Sequence, residues 1–483
     1  MCLIPDNFPA TNHLNHSRIN VKLSSIMSFN YPEPEPRPKG LRFLSYFGPG
    51  AILASATIGA GETILAVRAG AWGEYNLLWL IFLAVITKSF FLLYFLGRYS
   101  AISGDNIAQR LKQFPGPSGW LLLFILLADL IPAGPVFAAI AAPCGRLIWN
   151  IIGIGNPSVY ALIFALVAIV IAVIQKYDFL EKQQVVVCLI LLACVSASTL
   201  IIGMNWRALF VGLFSFGKIP EIPVWAQSDF ANRPVLLELA TVFGYAGNIA
   251  MGYIVYAEFI REKRWGVFRS DVSAPEPEKL PTDAENLERA RKGLWPVWGD
   301  LAVTSILIFF VTGAFLVAGA VILYPAGTMP RGFDLLSKQA SIFSAISPML
   351  VPIYYIAILF ALWGTLNSLP EIYTKVTYTF LKALSPKLFA NLSEKFLMRL
   401  LGIYFALCSI VLIVFNVKPA VMMDFVGLFS TNLGVTAAMA GALWLDHKLP
   451  PKLRAPTIMF SAGILSFAIL IFFSILSAVQ YFS

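Results

Sequence analysis

Glu62 is the residue whose type and place most call for chemistry. It follows Gly59-Ala60-Gly61 inside Gly48–Gly73, a stretch apolar and long enough to cross a bilayer. A carboxylate near mid-membrane costs on the order of 3 kcal/mol on insertion scales and is kept mainly for function. The glycines before it weaken a helix and free its carbonyls. A broken helix offering carbonyl oxygens, Gly59 among them, beside one carboxylate is a cation site; hard oxygen ligands suit Mg²⁺ or Mn²⁺. Its alternative is a helix-end glutamate at the membrane interface. Asp129 and Lys88 are further ionisable groups within apolar spans. They read either as an ion or proton relay or as a buried pair kept for structure. Thr57, Asn248 and Tyr253 offer neutral oxygens near the breaks, for a ligand or equally for unwound backbone. Met251 brings a thioether, which suits softer metals, though methionine in an apolar span is commonly packing.

These residues need membrane-spanning helices to hold them. The chain has 483 residues, 58% apolar and 13% charged, too little polar surface for a soluble domain of this length. Apolar runs predict spans near 46–70, 75–97, 119–147, 157–175, 183–203, 235–259, 296–323, 346–368, 398–416, 419–445 and 456–481. Pro419 divides the merged apolar region 398–445. Of 35 Lys and Arg residues, 26 fall in the segments on the side of the N-terminus and eight on the other. That asymmetry predicts an integral protein of the cell membrane with its N-terminus inside and C-terminus outside.

A second interrupted helix is expected at 235–259, where Gly244, Gly247 and Gly252 punctuate the span. Paired interruptions opening two groups of five spans point to an inverted-repeat transporter. The organisation is then a cytoplasmic tail (1–42), a first repeat (43–204), an extracytoplasmic loop (205–234), a second repeat (235–445), and a loop with an eleventh helix (446–483). The tail, with YPEPEPRPKG, reads as solvated, and Met27 is a candidate true start. In the loop from Arg261 to Trp295, APEPEKLPTDAEN reads as disordered and ENLERARKG as an amphipathic helix on the membrane surface.

Composition also excludes. The net charge of +9 lies in short loops between spans, so a nucleic-acid partner is not expected. The five cysteines form no CxxC pair. His13, His16 and His447 lie outside the spans, so no histidine-based catalytic or metal site can form in the membrane, and an enzyme is not expected. No GxxxxGK[ST] sequence is present, so transport would be driven by gradients. No cofactor is called for; the lipid bilayer and the transported ion are the expected partners.

GPGAILAS…GAGE…AVRAGAWGEYNLLW resembles the first two helices of the Nramp family of divalent-metal transporters. FGYAGNIAMGYIVYAEFIREK resembles their sixth helix, and Ala128-Asp129-Leu130 an acidic segment of their third. The resemblance implies an all-α LeuT-like inverted repeat of five plus five helices with helices 1 and 6 broken, and an eleventh helix appended. It implies a metal site at Glu62, Gly59, Met251, Asn248, Thr57 and Tyr253, with Asp129 and Lys88 as relay residues. The departures are informative. The family's Asp-Pro-Gly-Asn stands here as Gly59, Ala60, Gly61 and Glu62; its Met-Pro-His as Met251, Gly252 and Tyr253; its helix 3 glutamate as Pro132. The expectation is a divergent, Nramp-related secondary transporter of a divalent cation, Mg²⁺ or Mn²⁺ favoured, with weak or absent proton coupling. A carrier of a non-metal solute such as an organic cation is the alternative.

Overall fold

The computed structural model describes residues 29–40, 49–50, 61–174, a few positions between 193 and 201, and 203–231, 233–330, 332–344 and 347–483. Helices are the regular structure of the described residues. That is what hydrocarbon demands, since a helix satisfies its backbone polar groups within itself. A π-helical turn, Gly61–Ala66, runs into Val67–Gly73, together α1. Glu74, at φ 52°, ends it, and a 3₁₀ turn, Glu74–Leu77, leads into α2 (78–103). Then come α3 (Trp120–Ile152), α4 (Pro157–Ile174), α5 (Val235–Tyr245) and α6 (Ala250–Glu262). A short α7 (Ala284–Lys292) precedes α8 (Trp295–Ala318), α9 (Val351–Leu384), α10 (Glu394–Val414), α11 (419–448) and α12 (Thr457–Phe482).

Nine stretches among the described residues are long and apolar enough to cross a membrane, α1 and α2 counting as one. The fifth expected span, 183–203, falls mostly outside the described residues, so they do not test the total of eleven. Boundaries moved where apolarity and helicity part company. The eighth span was expected to end at 368, but α9 runs on to Leu384 with Pro370 inside it. Its last turns leave the apolar stretch without any helix-breaking pair of residues. The break expected before Pro419 is found. Asn416 adopts φ 53°, and the next helix starts at Pro419, whose missing N–H has no partner to lose there.

The centre of the bundle is α5–α6 with α2, α3 and α11 around it. α3 packs on α4, α9, α10 and the first part of α11, and α12 packs on α5. Small residues set the spacing. A Cβ on Gly61 would lie 2.9 Å from the Tyr245 carbonyl oxygen, so the start of α1 meets the end of α5 backbone to backbone.

Two expectations fail at the face that carries the N-terminal tail. Residues 29–40 are docked rather than free. Tyr31 is buried, its N–H donates to Asn286 Oδ1 (2.8 Å), and its hydroxyl donates to the Ile102 carbonyl (3.0 Å). Burial pushes that hydroxyl well above the ordinary tyrosine range, so it stays a donor. Arg289 pairs with Glu33 (2.8 Å), and Trp295 Nε1 donates to the Glu35 carbonyl (2.8 Å). The 261–295 loop receives this tail and is itself ordered: Pro277 and Leu280 are buried, and the Asp283 side chain caps α7. Proline-rich sequence lowers the entropy lost on docking, so an aromatic anchor can hold it.

Candidate functional site

The sixth span is broken as expected. α5 stops at Tyr245, residues 246–249 are non-helical, and α6 starts at Ala250. Gly247, at φ 139°, supplies a turn that a side chain would strain. A helix end inside a membrane protein must find partners for its last four carbonyls. All four are accounted for. The Val242 carbonyl accepts from Ala246 N–H (3.0 Å) and that of Tyr245 from Gly247 N–H (2.7 Å). The carbonyls of Phe243 and Gly244 accept from Lys88 Nζ at 2.5 and 2.6 Å. The ammonium also lies 5.0 Å from the centre of the Phe243 ring, a cation–π contact.

The other side of the break is capped by the opposite charge. Asp129 of α3, wholly buried, accepts from the Met251 N–H at the start of α6 (2.5 Å) and from the Ser430 hydroxyl of α11. Negative charge at a helix N-terminus and positive charge at a C-terminus are each favourable, up to about 2 kcal/mol where partly buried. Lys88 and Asp129 thus take separate partners, one at each end of the break, rather than closing on each other.

The neutral candidates bind the break together. The Asn248 N–H donates to the Tyr253 hydroxyl (2.9 Å), which also pairs with Ser89 of α2 (3.1 Å), and the Asn248 side-chain oxygen accepts from the Ile249 N–H (2.8 Å). Met251 is buried and meets Asp129 through its backbone. Thr57, Gly59 and the Glu62 side chain lie outside the described residues. Gly61, the neighbour of Glu62, is packed on Tyr245, which brings the start of α1 to the α5–α6 break.

Three π-helical segments converge on this point: Gly61–Ala66, Val85–Leu92 in α2 and Gly427–Gly434 in α11. Such segments add a residue to the turn, re-aim side chains, and recur at functional sites. In α2 the segment holds both Lys88 and Ser89; in α11 it holds Ser430 and Asn432, whose amide donates to the Ala240 carbonyl (3.2 Å). Ser430 carries no sequence signal: a serine in an apolar span is commonplace, and only the fold brings it to Asp129.

A second buried charge cluster lies at the end of the bundle away from the tail. Glu238 of α5 pairs with Arg68 of α1 (2.8 Å) and with Arg233. Arg233 also pairs with Asp424 of α11 (2.6 Å), which accepts from the Thr241 hydroxyl (2.7 Å). Glu238 and Asp424, though near the ends of their spans, are buried. Asp300, also near a span end, does cap a helix, but not its own. It accepts from the Gly50 N–H (3.1 Å) and the Tyr256 hydroxyl (2.9 Å).

No family model and no curated protein matches the chain. Solved structures do. A manganese transporter of Eremococcus coleocola, in a mutant form, superposes with a TM-score of 0.68 at 14% identity over 93% of this chain and 89% of that one. MhsT in complex with L-phenylalanine gives 0.55 at 17% identity, over 90% of this chain and 97% of that one. Mhp1, a nucleobase-cation-symport-1 family transporter, gives 0.54 at 14% identity, over 94% and 92%. All are membrane transporters, and the chain has their LeuT-like all-α fold. This agrees with the expectation of a divergent chain of the Nramp-like fold.

Proposed function

We propose that this chain is a secondary transporter that moves a divalent metal cation, Mg²⁺ or Mn²⁺ favoured, by alternating access, with proton coupling weak or absent. The observation that carries the reading is the meeting of α1 with the α5–α6 break at Gly61 and Tyr245. It brings the start of α1, where Glu62 follows Gly61 in the chain, to the interrupted sixth span, and interrupted spans are where carriers of this kind bind their cargo.

The ion would be held mainly from the α1 side. Two α5 carbonyls already serve Lys88. Glu62 supplies the full charge, freed carbonyls at Gly59 and the hydroxyl of Thr57 supply oxygens, and Asn248, Tyr253 and Met251 line the other wall. Asp129 and Lys88 hold the break in register. Proton coupling is expected to be weak because Tyr253 and Pro132 stand where the resembling family has a histidine and a glutamate, and neither carries a proton in the ordinary way at neutral pH. The membrane is the cell membrane, with the tail inside.

One observation favours the alternative of a non-metal solute. A divalent ion about 5 Å from the Lys88 ammonium would meet repulsion on the order of 6 kcal/mol at an effective dielectric of about 20. A metal must therefore sit farther off or keep water between, whereas an uncharged organic solute can approach through hydrogen bonds and an organic monocation meets about half that repulsion.

Uptake of Mg²⁺, Mn²⁺, Ca²⁺ and Fe²⁺ into liposomes, each with and without a proton gradient, tests the reading. Saturable Mn²⁺ or Mg²⁺ flux without matching acidification is expected. Glu62→Gln should lower metal affinity about tenfold or more with the melting temperature preserved, since a charge-assisted contact is lost and a buried carboxylate's desolvation is relieved. Absence of flux for every metal, or a Glu62→Gln protein that transports like the parent, sinks the metal reading.

A further inference from the structure

We infer that Lys88 is a tethered cation: its ammonium fills, from within the chain, a monovalent-cation site formed by the end of α5. The site has the parts such an ion needs. Two carbonyl oxygens, of Phe243 and Gly244, point at one place, at 2.5 and 2.6 Å from Nζ. They belong to a helix C-terminus, where the summed peptide dipoles leave partial negative charge. The Phe243 ring lies 5.0 Å from Nζ and is stacked on Phe473 at 3.7 Å, which holds its face toward the ammonium. The whole lies out of solvent, with Lys88 fully buried. The two buried carbonyls need donors from within the protein, and the Lys88 ammonium supplies them together with a positive charge that suits the helix end.

The local fold explains how a lysine reaches it. The π-helical segment Val85–Leu92 carries Lys88 to the end of α5 and Ser89 to the Tyr253 hydroxyl at once. Neighbouring positions on a regular helix point about 100° apart, and the extra residue per turn alters that relation. Asp129 neutralises the opposite lip of the break. Both ends of the interrupted helix are thus stabilised by side chains that cannot dissociate. The carrier therefore needs no alkali cation bound at α5 to hold its break, whatever the cargo.

The test is a cation dependence created by mutation and read from thermal melting, which does not depend on the cargo. Native protein, Lys88→Ala and Lys88→Met are purified and melted at constant ionic strength in Na⁺, K⁺, methylammonium or the bulky N-methylglucamine cation. The native protein should melt alike in all four. Lys88→Ala should melt several degrees lower in N-methylglucamine and recover saturably in methylammonium or an alkali ion, because ligand binding to the folded state raises its stability. Lys88→Met keeps the stem in place of the vacated space, so it should fall without recovery. Recovery of both variants alike marks a general salt effect and overturns the inference, as does a Lys88→Ala protein with no cation dependence. Should Lys88→Ala fail to fold, native protein still decides: melting that requires Na⁺ or K⁺ overturns the tethered-cation role, and indifference to them supports it. Failure of the metal-flux experiment would leave this result untouched.

Discussion

Buried charge is handled in two ways in this molecule. At the α5–α6 break charged side chains bind backbone: Lys88 donates to two carbonyls, and Asp129 accepts from an amide as well as from the Ser430 hydroxyl. At the end away from the tail, charge faces charge, in the run Arg68, Glu238, Arg233 and Asp424. The first arrangement stabilises an interruption through backbone partners that are fixed by covalent geometry. The second joins α1, α5 and α11 through side chains alone. It can part and re-form as elements move, because every member keeps an alternative partner or can take up water when opened.

Substitutions sharpen the contrast. Glu238→Gln should have the largest effect on stability. It leaves Arg68 and Arg233 short of a shared carboxylate in a buried place, and breaking such a network costs about 3–5 kcal/mol. A melt of the variant should show the largest drop of the series, and Glu238→Gln combined with Arg68→Gln should regain part of it. A double variant that loses the plain sum of the two singles would mean that the cluster is not a coupled unit. Lys88→Met should come next. It strands two buried carbonyls, at roughly 1–3 kcal/mol each before relaxation. Its hydrogen-exchange signature should be local, with faster exchange at the end of α5 and the start of α6 and little change near Arg68. Uniform loosening would erase the distinction between the two regions. Asp129→Asn should be smaller, about 1–2 kcal/mol, because asparagine can still accept from the Met251 N–H and only the charge against the α6 terminus is lost. Chemical denaturation of parent and variant checks it. An Asp129→Asn protein that is intact but inactive in flux would assign Asp129 to the transport path as well as to the cap.

Tyr31→Phe gives the smallest expected change, about 1 kcal/mol for one lost hydrogen bond to the Ile102 carbonyl. Limited proteolysis of the tail is the sensitive readout, and a cleavage rate equal to that of the parent would show that the ring alone anchors it.

What the sequence by itself determined is the fold class and the position of the interruption in the sixth span. Apolar run length, the asymmetry of Lys and Arg, and the glycines at 244, 247 and 252 are local properties, and each acts through a local cause: hydrocarbon thickness, loop charge, backbone freedom. Glu62, Asp129 and Lys88 were visible for the same reason, as charges in spans that tolerate few. Partners were not visible. Lys88 and Asp129 carry opposite charges in neighbouring spans and read as a relay or as a buried pair, but the fold sends them to opposite ends of one broken helix. The tail reads as solvated because its prolines and charges say nothing of a Tyr31 pocket built from residues 71 and 255 positions away. The burial of Glu238 and Asp424 is not legible in the sequence, because depth along a helix can be counted there while lateral burial cannot. Which group satisfies which is decided by the tertiary structure alone, since a dipole end or an unpaired carbonyl has no signature until the helix that carries it has stopped.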